Sequence, residues 1–341
     1  MAFKNILIFI LVFSLFSCAR TELTKIDIAL GTVCSVTLFE HGHESVFSDI
    51  FNRIHEIENL MSVNIPASDI SRINAASGIE PVQVHEDTFK VIQRAVFFAQ
   101  LSDGAFDPTI GSVVSLWGIN GSNPRVPSAE ETEKSLSLVN WRNIELNAES
   151  CSVFLTQRGM ALDLGAIAKG YAADEAAQII KRAGIKRALI DLGGNIIYVG
   201  KRKDAVPGSR SEYWRVGIQT PGGNRGAIFG ILHIANQTVV TSGVYERFFT
   251  ENGTRYHHLF SPTTGYPVQN GLISVTVVTD VSMDADALST AAFVLGYEKA
   301  IVLLESLGVE AVFVFEDKSI RTTKGANFTL TDRTFQMEAR K

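Results

Sequence analysis

Apolar positions recur at helical spacing in two early segments of the chain. Val46, Ile50, Ile54, Ile57, Leu60 and Met61 share one face of a helix expected to pack on a sheet. Val91, Ile92, Ala95, Val96, Phe98 and Ala99 share one face of a second helix, which stops near Gly104. Ahead of both, residues 26–39 read as a strand broken at Leu30-Gly31-Thr32, and between the two helices a short turn of helix runs up to Asn74. Ser128 with Glu131 makes a capping box for a further helix, and strands return near residues 142–155.

From Ala188 onward the pattern turns to strands. They are expected at 187–191, 195–200, 213–219, 228–235, 238–242, 255–260 and 272–279, before helices at 285–296 and 297–307 and a last strand at 310–316. Strands and helices do not alternate regularly, so the fold class is α+β rather than a doubly wound parallel sheet. No internal repeat or low-complexity linker marks a domain boundary.

The chain has 341 residues, 46% of them hydrophobic, which is ample for a core. Its charge, 31 basic against 36 acidic side chains, is −5, and the longest basic run is Lys201-Arg202-Lys203. That balance argues against nucleic acid as a partner. At the start, Lys4 precedes the apolar run Ile6 to Phe16, and Leu15-Phe16-Ser17-Cys18 resembles a bacterial lipobox. The run is about 11 residues, too short to span a bilayer as a helix. Residues 1–17 are therefore expected to be a signal peptide, with Cys18 lipidated as the first residue of a mature protein spanning 18–341. Cys34 and Cys151 remain; each sits in an apolar strand-like run, which favours burial over pairing, and neither has metal-ligand spacing.

Four segments carry candidate chemistry. The stretch 161–171 gathers Asp163, a turn at Gly165 and Lys169 at the mouth of a helix that runs on to Arg182 and is closed by Gly184, after a short strand ending at 160–164. Unpaired N–H groups at such a helix start stabilise an anionic phosphate, and Lys169 adds a full charge. Asp163 suits a hydroxyl, an amine or a metal. An ordinary strand-to-helix connection with a surface lysine fits the same residues. The stretch is not a P-loop, because Tyr171 follows Gly170 where that motif has lysine.

In the second segment, Gly104 and Ala105 let a ring approach closely while Phe106 and Trp117 wall a planar ligand; a plain helix C-cap and turn is the other reading. In the third, 241–265, the adjacent His257 and His258 point to opposite faces of a strand, so at most one serves a given site, as a base titrating near 6.5. In the fourth, Asp286 and Thr290 share a helical face and suit a hard cation such as Mg²⁺, although N-capping by Asp284 with Asp286 favoured by the helix dipole explains both carboxylates equally well.

Taken in order, these segments resemble the ApbE family of FAD:protein FMN transferases, from about Leu30 to Gly296. The elements that carry the resemblance are Gly104-Ala105-Phe106-Asp107-Pro108-Thr109 with Leu116-Trp117-Gly118, residues 163–170, Asp191-Leu192-Gly193-Gly194-Asn195, Thr241-Ser242-Gly243 with His258, and Asp286 with Thr290. The resemblance implies a two-lobed, T-fold-related α+β architecture of mixed or antiparallel sheets flanked by helices, with FAD held between the lobes. It implies Mg²⁺-dependent transfer of FMN from FAD to a threonine or serine of an exported redox subunit, with release of AMP.

In family terms Leu30, Asn64, Ala105, Phe106, Asp107, Trp117, Asp163, Lys169 and Leu259 contact FAD. The Ala166 carbonyl, Asp286 and Thr290 hold the metal, and His258 is the base, with Asp286 counted as catalytic. Two positions depart from the family pattern. Leu30 stands where methionine is usual, a mild change, and Asn64 stands where tyrosine would lie against FAD. The smaller amide is expected to admit water and so permit hydrolysis of FAD to FMN and AMP. From the lipobox, the protein is expected on the periplasmic side of the bacterial inner membrane, lipid-anchored through Cys18. A non-catalytic periplasmic lipoprotein that binds or stores FAD is the alternative, since it needs the ring pocket but no metal.

Overall fold

The break at Leu30-Gly31 turns the first strand back on itself. A computed structural model of the chain describes residues 22–39, 44–119, 121, 123–201, 213–224 and 226–338. The signal segment 1–17, Cys18, and Arg202 and Lys203 of the basic triplet lie outside the described residues. Strands β1 (Leu23–Ala29) and β2 (Thr32–Leu38) pair antiparallel, and Leu30 and Gly31 between them take φ of 54° and 66°. Two successive left-handed residues match the twist of a tight hairpin. Leu30 holds this conformation despite its Cβ, with its N–H donating to Glu58 Oε1 at 2.7 Å.

Helix α1 (Val46–Met61) buries Val46, Phe47, Ile50, Ile54, Ile57 and Met61, as its spacing requires. Then come α2 (Asp69–Ala75), the short β3 (Val82–Gln83), α3 (Glu86–Leu101), α4 (Gly111–Trp117) and α5 (Ala129–Leu136), where the Ser128–Glu131 capping box is fully formed. Strands β4 (Ile144–Asn147) and β5 (Ser152–Leu155) lead to α6 (Ala168–Arg182). Next are β6 (Ala188–Leu192), β7 (Asn195–Val199), β8 (Trp214–Gln219), β9 (Ile228–Ile234), β10 (Thr238–Gly243), β11 (Phe248–Glu251), β12 (Thr254–His257) and β13 (Leu272–Thr279). The chain ends with α7 (Ser282–Leu295), α8 (Tyr297–Ser306), β14 (Glu310–Phe315), β15 (Ser319–Thr322), β16 (Phe328–Leu330) and β17 (Gln336–Met337).

The main sheet has nine strands in the order β1-β2-β6-β7-β10-β13-β14-β15-β17, antiparallel throughout except for the last pair. Alternation along its strands separates two cores. Val240, Val277, Ala311 and Phe313 join the core packed by α1, α3, α6 and α7, whereas Val239, Val278, Val312 and Val314 join a second core with the small sheet β16-β9-β8. The mixed α+β class with antiparallel sheets flanked by helices is as expected.

Four local expectations change. Residues 160–164 form no strand; Ala161 makes only an isolated bridge to Ile110, and Asp163 N donates to Pro108 O, because the facing segment is a turn too short to build a ladder. The strand expected at 255–260 is β12, which ends at His257 and pairs with β11, a strand the apolar pattern does not single out. Helix α7 begins at Ser282 rather than 285, for a reason given by its neighbour below. Strand β14 is not the last: three short strands follow it, of which β16 and β17 lie at sheet edges. Cys34 is a buried free thiol whose Sγ–H points to Ala29 O, and Cys151 is a half-buried free thiol in a turn at φ 50°. Among the described residues no helix is long and apolar enough to cross a membrane.

Candidate active site

The N-terminal ends of α6 and α7 meet at the floor of a cavity of about 370 Å³. In an uninterrupted helix the Gly170 N–H would close on the Ala166 carbonyl four residues back. It donates instead to Asp286 Oδ2 at 3.1 Å, and the Ala166 carbonyl accepts no hydrogen bond among the described residues. Lys169 Nζ lies 3.5 Å from the same Asp286 oxygen and donates to Gly165 O at 2.7 Å. One turn along α7, Thr290 Oγ1 lies 3.2 Å from Ser242 Oγ, which is also 2.9 Å from Ser289 Oγ. Asp284 points elsewhere and is bound to Arg94 through both oxygens at 2.9 and 2.6 Å. The two carboxylates of the fourth segment thus separate into a structural pair with Arg94 and a buried cavity residue.

Among the described residues no three His, Cys, Asp or Glu side chains cluster as a metal site. A cation here would rest on one carboxylate, one hydroxyl and one backbone carbonyl. These are hard oxygens, and the carbonyl, just before the start of α6, accepts no hydrogen bond among the described residues, so the donor set fits Mg²⁺ completed by water and phosphate.

Two hairpin turns and one loop form the other walls. Gly193, at φ 62°, packs so closely on Thr32 that a Cβ would sit 2.2 Å from Thr32 Oγ1, which brings the β6–β7 turn against the β1–β2 turn beside the cavity. Ala105, Phe106 and Asp107 line the opposite side. The Asp107 carboxylate is occupied by the turn itself: it accepts from Thr109 N at 2.8 Å, Thr109 Oγ1 at 2.6 Å and Trp141 N at 3.0 Å. Burial pushes this carboxyl above its ordinary range even so.

Trp117 is not a wall. It is fully buried behind Phe260, at 5.5 Å between ring centroids, and its Nε1–H donates to Gly265 O at 2.9 Å, so it braces Phe260, which does line the cavity.

The two histidines face different surroundings, although β12 ends at His257 and His258 lies in the bend beyond it. His257 is buried away from the cavity, its Nε2–H donating to Val268 O at 3.0 Å and its Nδ1 accepting from Leu259 N at 3.2 Å. His258 lines the cavity beside Leu259, with Nδ1 3.1 Å from the Arg247 carbonyl. A carbonyl only accepts, so Nδ1 carries the proton and Nε2 keeps its lone pair. Burial, with the charges of Arg247 and Lys169 nearby, lowers the ring's pKa to about 4, so it is neutral at physiological pH.

A second cavity of about 620 Å³ adjoins the first and shares Gly31, Asp163, Gly165, Lys169, Glu246 and Arg247 with it. Leu30 and Asn64 line this outer part. Asp163 sits at the junction with Oδ1 accepting from Gly165 N at 2.7 Å.

An ApbE family model matches residues 30–313 of the chain. The chain belongs to the ApbE family. It is 37% identical over 331 residues to a FAD:protein FMN transferase of Treponema pallidum, covering 94% of this chain and 90% of that one. It is 38% identical over 294 residues to a FAD:protein FMN transferase of Klebsiella pneumoniae, covering 86% and 89%. The fold superposes on the crystal structure of the ApbE protein of Thermotoga maritima with a TM-score of 0.81 at 33% identity, covering 89% of this chain and 97% of that one. It superposes on the flavin transferase ApbE of Vibrio cholerae with a TM-score of 0.77 at 26% identity, covering 92% and 98%.

Within this ApbE chain, every residue expected at the site lines one of the two joined cavities except Trp117 and Cys18; Cys18 lies outside the described residues. Sequence reasoning gives no role to Glu246 and Arg247, although both border both cavities. Their only signal is position just after Thr241-Ser242-Gly243 in an irregular stretch, which is weak. Asn195, buried beside the cavity with its Nδ2 unpartnered among the described residues, is another.

Proposed function

We propose that this protein transfers the FMN half of FAD to a threonine or serine hydroxyl of an exported target protein, releasing AMP. The observation that carries this reading is the unpaired Ala166 carbonyl beside buried Asp286 and Thr290, in one cavity with the neutral His258. The names of the relatives point the same way. Ala166, Asp286 and Thr290 would hold Mg²⁺, which when bound neutralises charge on the diphosphate and on the departing AMP. Lys169 and Arg247, at the junction of the cavities, supply cationic charge where a diphosphate would cross from one to the other. His258 Nε2 takes the proton of the attacking hydroxyl as its oxygen bonds to the phosphorus next to riboflavin and the bond to the AMP phosphate breaks.

Water is the rival nucleophile at the same phosphorus. Asn64 lines the wide outer cavity with a small amide, and its side chain makes no hydrogen bond among the described residues, which supports FAD hydrolysis to FMN and AMP as an accompanying activity. The lipobox at Cys18 supports a lipid anchor on the periplasmic side of the inner membrane, where an exported redox subunit would be the acceptor.

The test mixes protein, FAD, Mg²⁺ and candidate exported redox subunits. A fluorescent band carrying the added mass of FMN is the expected result; none with any acceptor, together with unchanged FAD, would leave only the FAD-storage alternative. Absence of AMP when no acceptor is present would end the hydrolysis part alone.

A further inference from the structure

Helices α6 and α7 each begin without a cap of their own. The residues before them, Ile167 and Val281, offer no side-chain hydrogen bond to the first turn. Each helix instead receives an aspartate from the other. Gly170 N–H of α6 donates to Asp286 of α7, while Ser282 and Met283 N–H of α7 donate to the two oxygens of Asp174 of α6, both at 2.9 Å. The exchange is reciprocal in spacing as well: Gly170 and Asp174 are four apart on one helix, Ser282 and Asp286 four apart on the other. It needs a glycine at 170, because a Cβ there would sit 2.3 Å from Ser282 O.

Resting on the metal reading above, we propose that Asp174 is the positioning residue that sets cation affinity at Ala166, Asp286 and Thr290. Asp174 touches neither cation nor FAD in this assignment. It fixes the start of α7 in register on α6, and in that register Asp286 takes the Gly170 N–H while Thr290, one turn further along α7, also lines the cavity. Arg94, held by Asp284, fixes the same turn of α7 to α3 but leaves its register on α6 open. Asp174 therefore controls two of the three oxygen donors at once. The need for the first-turn amides of α7 also explains why that helix starts at Ser282.

The experiment titrates Mg²⁺ into the full chain without FAD, by calorimetry and by the metal-induced shift in melting temperature. Asp174→Asn keeps the shape and one acceptor but loses the charged cap, and its Mg²⁺ affinity should fall by about tenfold or more, as for other outer-shell partners of metal ligands. Asn270→Ala is the control. It cuts the hydrogen bond from Asn270 Nδ2 to Phe293 O at the far end of α7, 2.7 Å long, and should lower stability while leaving Mg²⁺ affinity within about twofold.

Ser282→Pro is a second probe, should the first variant fold poorly. It removes one N–H from Asp174 at a first-turn position that proline suits, and should weaken Mg²⁺ in the same direction. Equal losses in the Asn270 and Asp174 variants, or unchanged affinity in the Asp174 and Ser282 variants, would overturn the assignment. If the wild type binds no Mg²⁺, the metal reading fails and this inference with it; if Asp286→Ala abolishes binding while Asp174→Asn does not, only this inference fails.

Discussion

The two ends of the cleft are built differently. At the α6–α7 floor, helix amides and carboxylates over a hundred residues apart, and hydroxyls 47 residues apart, lie within about 3 Å of one another, and Asp286 is almost wholly buried. At the outer wall, the loop carrying Ser62, Val63, Asn64 and Ile65 is held by local bonds, such as Asn64 N to Ser62 Oγ at 3.2 Å and Ser68 Oγ to Ser62 O at 2.7 Å, and Val63 is 45% exposed. Tight packing fixes where bonds can break. A loose wall leaves open what else can enter. On the proposed function, the chemistry belongs to the floor and the choice of nucleophile to the wall.

Replacing Asp286 by Ala is the hardest strike at the floor. FMN transfer should fall by about 10³-fold or more, the scale of losing several kcal/mol of metal assistance, while FAD binding persists. A carrier protein would lose nothing measurable, so turnover and FAD titration together separate the two readings.

His258→Gln should cost about 10²- to 10³-fold in turnover with little change in affinity for FAD, read by steady-state kinetics. The same residue has a pH signature. Its folded pKa of about 4 lies below the ordinary value of 6.5, so between those limits the unfolded chain binds more protons. That penalty is absent above about pH 6.5 and grows as pH falls to about 4. The wild type should lose stability over this window by more than the Gln variant does, and ring NMR signals of His258 that titrate near 6.5 would refute the assignment.

A methyl group at Gly170 tests whether the floor is as tight as it is drawn. Gly170→Ala should destabilise the protein by about 1–3 kcal/mol, the usual range for overpacking, because backbone of α7 must move to admit the Cβ. Denaturant melts measure it; an unchanged midpoint would mean the seam yields easily.

The smallest effect is expected at the wall. Asn64→Tyr should lower FAD hydrolysis several-fold relative to transfer, about 1 kcal/mol of partitioning, by covering the outer cavity. An unchanged ratio of AMP formed with and without an acceptor would show that the wall does not choose the nucleophile.

Most of the helical framework is legible in the sequence because its signals are local. The apolar spacing of α1, the Ser128–Glu131 box and the Leu30-Gly31 turn each depend on residues within one or two turns of one another. The short strands after β14 are not legible, being two to four residues long and stabilised by what they pair with. Trp117 shows the same limit at the site. An aromatic beside a glycine turn reads as a wall, and only the packing of Phe260 in front of it makes it a brace.

By itself the sequence determined the α+β class, the helices other than α4, the break at Leu30-Gly31, the motifs that mark the family, and two adjacent histidines of which one was expected at the site. The tertiary structure alone decided which histidine that is and which of Asp284 and Asp286 enters the cavity. It also decided that the Ala166 carbonyl is left unpaired. The first-turn N–H of Gly170 beside it finds its acceptor in a carboxylate 116 residues further along, and no pattern within a single helix announces so distant a partner.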